Sequence, residues 1–243
     1  MTQPIDIRRV PGHRLRLLDL FSCAGGAAMG YHRAGFEVTG VDIVDRPNYP
    51  FALHRADALE YLAALIASGE IERYAAVHAS PPCQAGCALT VGTNASQGWG
   101  GIHEDLVAPT RDLLDQTGLP YVIEQPNGQA RIRKDLSLCG EMFGLGVLRH
   151  RNFELGRWTI ERPTHPKHRG YVRGYRHGVY RDGPYVAAYG SGGGKATTPE
   201  MQEAMGITWT DVREELTEAI PPAFSEHIGR ALLAAARLVE VAA

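Results

Sequence analysis

Apolar positions in the first half of the chain come in short runs separated by glycines, prolines and acids. Leu15–Phe21 predicts a buried strand, followed by a tight turn over Ser22–Gly26 and a helix over Ala27–Ala34 that Gly35 stops. Phe36–Asp42 predicts a second strand that ends on an acid. Ala58–Ser68 has helical periodicity with Gly69 as its stop signal, and Tyr74–Ala79 is a third strand candidate running into a proline-rich turn. Asp105–Thr117 predicts a helix, and Pro120–Glu124 another strand that ends on an acid. Strands alternating with helices of about 10–15 residues predict an α/β fold with a doubly wound, mostly parallel sheet. Ligands in such sheets bind beyond the carboxyl ends of the strands. Asp19, Phe21, Asp42, Ser80–Gln84 and Glu124 all fall there.

The pattern weakens after Phe143. Leu145–Leu155 is strand-like around Arg149-His150-Arg151, and residues 156–205 are rich in Gly, Pro, Arg, His and Tyr with little periodicity. Pro222–Val241 predicts an amphipathic helix with an Ala/Leu face. The chain therefore divides into a main α/β domain over 1–155, a small irregular region over 156–205, and a segment over 206–243 that returns to the main domain.

With 44% hydrophobic and 21% charged residues among 243, a folded globular domain is expected rather than disorder. No apolar run approaches the roughly 18 residues of a membrane span. Met1–Arg9 carries no apolar signal core, so a cytoplasmic location is expected. Four cysteines in a chain this long do not make a disulfide framework, which leaves individual thiols open to chemistry. The formal net charge is only −2, but its distribution is uneven: 12 of the 25 Lys/Arg and 4 of the 27 Asp/Glu lie between Arg131 and Arg181. Segregation of this kind suggests a face for a polyanion, with a merely solvated basic surface as the alternative.

Ser80-Pro81-Pro82-Cys83-Gln84 is the sharpest chemical signal. Two prolines fix the backbone after a strand and so place the next side chain rigidly at the sheet edge. Cys83 is there a candidate nucleophile, active as its thiolate, or else a structural cysteine behind a proline turn. The small, Gly-rich and polar segment Ala85–His103, which contains Trp99, suits a lid. There is no G-x-G-x-x-G fingerprint, so a dinucleotide site is not supported. The Gly25-Gly26 turn at a helix N-terminus could still let a cofactor approach the backbone, and Asp42 stands where a ribose-binding acid belongs. Glu124, at a strand end, could be held protonated by a dry pocket and act as an acid. Arg149 and Arg151, at i and i+2 on the expected strand, would point to one face and grip a planar, oxygen-bearing ligand. His165 and His168 are metal-ligand types, but Cys139 is distant in sequence and no second pair is evident, so surface histidines and no metal are expected. Gly190–Lys195 does not fit phosphate-loop spacing and reads as a flexible loop.

Asp19–Gly26, Ser80–Gln84, Ile123–Asn127 and Arg149-His150-Arg151 resemble, in order and spacing, the motifs of the cytosine carbon-5 DNA methyltransferase family, prokaryotic or phage type. Ala219-Ile220-Pro221-Pro222 followed by a helix is similar to that family's last motif, and the resemblance spans all but about residues 1–14 and 156–205. It implies an S-adenosylmethionine-dependent enzyme in which Phe21, Gly25, Gly26, Asp42, Asp57 and Pro81 hold the cofactor. It also implies Cys83 as the nucleophile on carbon 6 of a flipped cytosine, Glu124 at ring N3, Arg151 at O2 and Arg149 in support. Residues 156–205 would be a minimal target-recognition region, double-stranded DNA the partner, a monomer the state, and a prokaryotic cell or phage-infected host the setting. Cys23 replaces the family's usual glycine, Gln125-Pro126 its Asn-Val, and Glu218 an asparagine of the last motif. The Cys-Phe-Thr tripeptide of the tRNA-modifying branch is absent. A non-catalytic relative, or an enzyme acting on RNA or a free nucleotide, is the alternative.

Overall fold

A computed structural model describes residues 13–82, 105–128, 131–176, 178–189 and 196–242. The strands are β1 (Arg16–Leu20), β2 (Glu37–Asp42), β3 (Ala52–Arg55), β4 (Ala76–Ala79), β5 (Tyr121–Pro126), β6 (Leu136–Leu138) and β7 (Arg151–Gly156), with a separate hairpin of β8 (Gly174–Arg176) and β9 (Val179–Arg181). The helices are α1 (Gly26–Ala34), α2 (Ala58–Ser68), α3 (Val107–Thr117), α4 (Thr198–Met205), α5 (Arg213–Glu218) and α6 (Pro222–Ala242).

The seven-stranded sheet has the order β3-β2-β1-β4-β5-β7-β6. Strands β1 to β5 pair in parallel, whereas β7 is antiparallel to both β5 and β6. The predicted doubly wound, mostly parallel α/β fold is therefore what the chain adopts. The chain leaves β1 toward β2 and β3, then returns to place β4 on the other side of β1. That reversal opens a crevice beyond the carboxyl ends of β1 and β4, where ligands of such sheets bind.

Two apolar layers cover the sheet. On one side β1 and β2 pack with α1 and α6 around Leu17, Tyr31, Phe36, Phe224, Ile228 and Leu232. On the other, Leu18, Leu20, Val77 and Ile123 meet α2 and α3 through Leu62 and Leu114. The last helix can return this closely because α1 presents Gly30, where a Cβ would stand 2.2 Å from the Pro222 carbonyl oxygen. The antiparallel edge is fastened by buried Glu154, which takes a two-pronged bond from Arg111 (2.7 and 2.8 Å) and the backbone N–H of Arg133 (2.9 Å).

Several expectations change in the second half. The strand expected over Leu145–Leu155 begins only at Arg151. Residues 145–150 instead run without regular structure after a 3₁₀ turn (Gly140–Phe143), because Leu145 N–H bonds back to Gly140 and Gly140 N–H to Leu148. β3, β6, α4, α5 and the β8–β9 hairpin were not predicted; strands of three or four residues and helices of six or eight are too short for their periodicity to register. Residues from 156–205 and from 206–243 share one small core, in which Ala188, Met201 and Met205 meet Ile207, Leu216 and Val147.

The basic segment is also less free than its composition suggests. Arg131 pairs with Asp105, Arg133 with Glu154, Arg169 with Glu141 and Arg173 with Glu200. Arg157 donates to the Asp115 carbonyl, and Arg162 to those of Lys134 and Asp135. Much of the expected polyanion face is thus spent on holding irregular chain in place. No described helix is long and apolar enough to cross a membrane.

Candidate active site

The turn after β1 is built from unusual backbone. Phe21 and Cys23 have φ of 58° and 46°, a region that side chains with a Cβ seldom occupy. The turn is held because Ser22 N–H bonds to the Val41 carbonyl (3.1 Å) and Cys23 N–H to Asp42 Oδ2 (2.9 Å), tying the ends of β1 and β2 together. Asp42 Oδ1 accepts from Val44 N–H (2.9 Å) and faces Arg46 Nε at 3.3 Å. Gly25 (φ 81°) has Tyr49 and Pro50 against it, and a Cβ there would stand 2.9 and 2.8 Å from them. At Gly26 a Cβ would lie 2.3 Å from the Ile220 carbonyl oxygen. Small residues are required here so that the Tyr49–Pro50 loop and the 219–220 segment can close on the turn.

A cavity of about 440 Å³ opens beyond these strand ends. Phe21, Gly26, Asp42, Asp57 and Pro81 line one part of it, and Glu124, Pro126 and Arg151 another. The chain thus brings together seven of the predicted site residues. Gly25 is not among the lining residues and serves the packing just described. Cys83, Gln84, the Ala85–His103 segment with Trp99, and Gly190–Lys195 lie outside the described residues. Pro81 and Pro82, which lead into Cys83, line the same cavity as Glu124.

Glu124 is buried, with its Oε1 2.8 Å from Arg151 Nε. Burial raises its carboxyl above the ordinary range, with Arg151, Arg149 and the Ser80 hydroxyl opposing. No donor among the described residues is well aligned with Oε1. A buried carboxyl that is easier to protonate than usual, beside a guanidinium and at the rim of a cavity, is suited to share a proton with a ligand.

Arg149 departs from expectation. It precedes β7, has φ of 36°, and does not face the cavity beside Arg151. Its guanidinium donates to the carbonyls of Ala219 (2.7 Å), Ala188 (2.6 Å) and Thr217 (2.5 Å). The strand alternation expected for the pair fails because the strand starts two residues later. Arg149 instead joins the small region and the returning C-terminal segment to the sheet edge.

Three contacts at the site were not foreseen from the sequence. Gln125 donates to the Pro81 carbonyl (2.6 Å), so a departure from the motif the sequence resembles pins the proline turn. Cys23 and Glu218, two further departures, meet: Sγ donates to Oε2 at 3.5 Å. Burial, with Glu218 adding and Arg46 opposing, pushes the Cys23 thiol up to about 12, so it stays protonated and acts as a donor. Finally, fully buried His78 is flanked by Tyr31 Oη (2.9 Å) and Ser80 Oγ (2.9 Å). Desolvation lowers its pKa to about 3, leaving a neutral ring that orients Ser80 beneath Glu124. Only a His on an apolar strand, two residues before Ser80, hinted at this in the sequence.

No protein-family model matches the chain, and no curated protein does either. Solved structures do share its fold. One, from E. coli, is described as a DNA modification methyltransferase encoded within a prophage. It aligns with 90% of this chain and 98% of its own at 13% identity and a TM-score of 0.59. A variant of Spodoptera frugiperda DNMT2 aligns with 93% of this chain and 99% of its own at 13% identity and a TM-score of 0.53.

The metal expectation also changes. Cys139, distant in sequence from His165 and His168, stands beside them in space, with Sγ 3.5 Å from His168 Nε2.

Proposed function

We propose that the chain is an S-adenosylmethionine-dependent cytosine carbon-5 DNA methyltransferase. The observation that carries this reading is one cavity at the β1/β4 crevice, lined by Phe21, Asp42 and Asp57, by the Glu124–Arg151 pair, and by Pro81 and Pro82, which immediately precede Cys83 in the sequence. Its volume of about 440 Å³ is in the range of small-molecule sites, roughly 300–1,000 Å³. The residues fit the cofactor. Asp42 and Asp57 offer acceptors for hydroxyl and amino groups, the N-terminus of α1 offers N–H groups and a favourable dipole for a carboxylate, and Glu218 offers a counter-charge to a sulfonium. Bound there, the cofactor supplies an electrophilic methyl group.

The remaining chemistry belongs to the chain. The Cys83 thiolate attacks carbon 6 of a flipped-out cytosine while Glu124 gives a proton to ring N3, so that electron density moves to carbon 5. Arg151 holds both Glu124 and the base O2. After carbon 5 takes the methyl group, its proton passes to solvent, the 5,6 double bond re-forms with departure of the Cys83 thiolate, and the N3 proton returns to Glu124. Flipping the base costs a few kcal/mol, which contacts to the flanking phosphates offset. Exposed Tyr171, Tyr175 and Tyr180, with Arg181 over the Tyr171 ring at 5.1 Å, give the small region a surface for such contacts. The fold that the chain shares with the E. coli prophage-encoded protein and with DNMT2 supports the methyltransferase reading.

Purified protein given S-adenosylmethionine and mixed-sequence DNA should leave 5-methylcytosine at a short recurrent sequence, read by bisulfite sequencing. DNA containing 5-fluorocytosine should be trapped covalently by the wild type and not by Cys83→Ala. Neither methylation nor trapping on any DNA would reject the reading. Modification of RNA or free cytidine nucleotide alone would move the activity to another substrate.

A further inference from the structure

Cys139 at the end of β6, His150 just before β7, and His165 and His168 in the segment that follows β7 converge on one point. Their ligand atoms all lie within 4.8 Å of one another. We propose that these four side chains form a structural Zn²⁺ site that fastens the start of the small region to the sheet edge.

The spacing has the right scale. Zn–N bonds of about 2.0–2.1 Å and a Zn–S bond of about 2.3 Å in a tetrahedron separate two nitrogens by about 3.3 Å and sulfur from nitrogen by about 3.6 Å. His150 Nε2 and His165 Nε2 are 3.3 Å apart, and Cys139 Sγ and His168 Nε2 are 3.5 Å apart. The wider pairs close by small side-chain rotations. The rings leave room for an ion between them: the His150 and His165 planes are nearly parallel, and His168 meets both edge-on at 61° and 63°.

The chemistry agrees. His165 Nδ1 is 2.7 Å from the Pro166 carbonyl, so Nδ1 carries the proton and Nε2 presents a lone pair. Donation of the second ring N–H to a carbonyl is the outer-shell arrangement that orients metal-bound histidines. One thiolate and three imidazoles suit Zn²⁺ and not the oxygen-seeking Mg²⁺ or Ca²⁺. Binding would displace the Cys139 thiol proton to solvent. Four protein ligands fill a tetrahedron, which makes the site structural, not catalytic.

The position explains why such a fastening is needed. Residues 157–170 contain no helix or strand. They are held by Arg162 on the carbonyls of Lys134 and Asp135, and by Arg169 on Glu141 and the Leu145 carbonyl. His150 lies between Arg149 and Arg151, and its carbonyl accepts from Asn127 N–H at 3.3 Å. A metal on His150 would therefore brace the backbone that presents Arg151 to Glu124.

The test uses the full chain with no histidine tag. Purified from zinc-supplemented medium, it should hold one equivalent of Zn²⁺ by elemental analysis. Replacement by Co²⁺ should give the intense red-region bands of a tetrahedral ion and a thiolate charge-transfer band in the near ultraviolet. Cys139→Ser should lose that band and Cys23→Ser should keep it. His165→Ala, a change at an exposed residue, should keep the wild-type circular dichroism. It should weaken Zn²⁺ binding by about 100-fold or more, beyond the 10–100-fold cost of losing an outer-shell partner. Chelation should lower the melting temperature of the wild type but not of His165→Ala. A wild type that takes up no stoichiometric Zn²⁺ overturns the proposal. So does a charge-transfer band that survives Cys139→Ser, or a melting temperature indifferent to chelation.

Discussion

The two halves of this molecule hold their residues in place by different means. In the sheet half, backbone pairing and two apolar layers fix Phe21, Asp42, Pro81 and Glu124, and the polar side chains are then free to face the cavity. In the irregular stretches after Phe143, where residues 145–150 and 157–170 form no helix or strand, the long side chains do the fastening. Arg149, Arg162, Arg169 and Arg173 each bond to distant carbonyls or acids. Arginine is suited to this work because its five donors can satisfy several carbonyls at once. The cost is that basic residues in the irregular half cannot all be counted as a surface for nucleic acid.

The comparison can be broken at Glu124 first. If that side chain is an acid presented by an independently stable sheet, Glu124→Gln should slow methyl transfer by about 10²–10⁴-fold. Cofactor affinity, measured by calorimetry, should stay within about threefold. A comparable loss of cofactor binding would show that Glu124 holds the site together and does not merely act in it.

Arg149→Met tests the other half. It strips two buried carbonyls (Ala188 and Ala219) and the half-buried one of Thr217 of their donor, and with losses of about 1–3 kcal/mol for each unsatisfied group we expect about 3–5 kcal/mol of destabilisation by urea unfolding. Hydrogen exchange should report the opening at residues 188 and 217–219 ahead of β1 and β4. Uniform loss of protection would mean that the two halves unfold as one.

The smallest effect concerns pH and His78. Its folded pKa, about 3, lies below the ordinary 6.5, so the unfolded chain binds a proton that the folded chain refuses. Stability therefore falls as pH drops below about 6.5, and over a single unit of pH this group contributes at most about 1.4 kcal/mol. His78→Asn should remove that part of the slope when the two proteins are unfolded in parallel across the range. Identical slopes would show that the protons are taken up elsewhere, with His150 in the other half, whose pKa burial also lowers, as the group to examine.

The legibility of the sequence followed the same divide. β1, β2, β4 and β5 and their helices were readable because each buried element repeats one simple pattern over enough residues to be seen, and the cavity sits where those strands end. Asp42, Pro81 and Glu124 could be placed from their positions at strand ends, whereas Arg151 was expected inside a longer strand that in fact begins with it. Arg149 could not, because its partners at Ala188, Thr217 and Ala219 are 39, 68 and 70 residues away and are backbone atoms without a sequence signature. The meetings of Cys23 with Glu218, 195 residues on, and of Cys139 with His168, 29 residues on, were equally hidden.

By itself, then, the sequence determined the doubly wound sheet and the crevice at its switch point, since periodicity and turn chemistry are local. Only the tertiary structure decided that Arg149 would tie chain segments together while Arg151 met Glu124. It alone gathered one cysteine and three histidines at the sheet edge. Those outcomes depend on which distant segments close on one another, and that is set by packing across the whole chain.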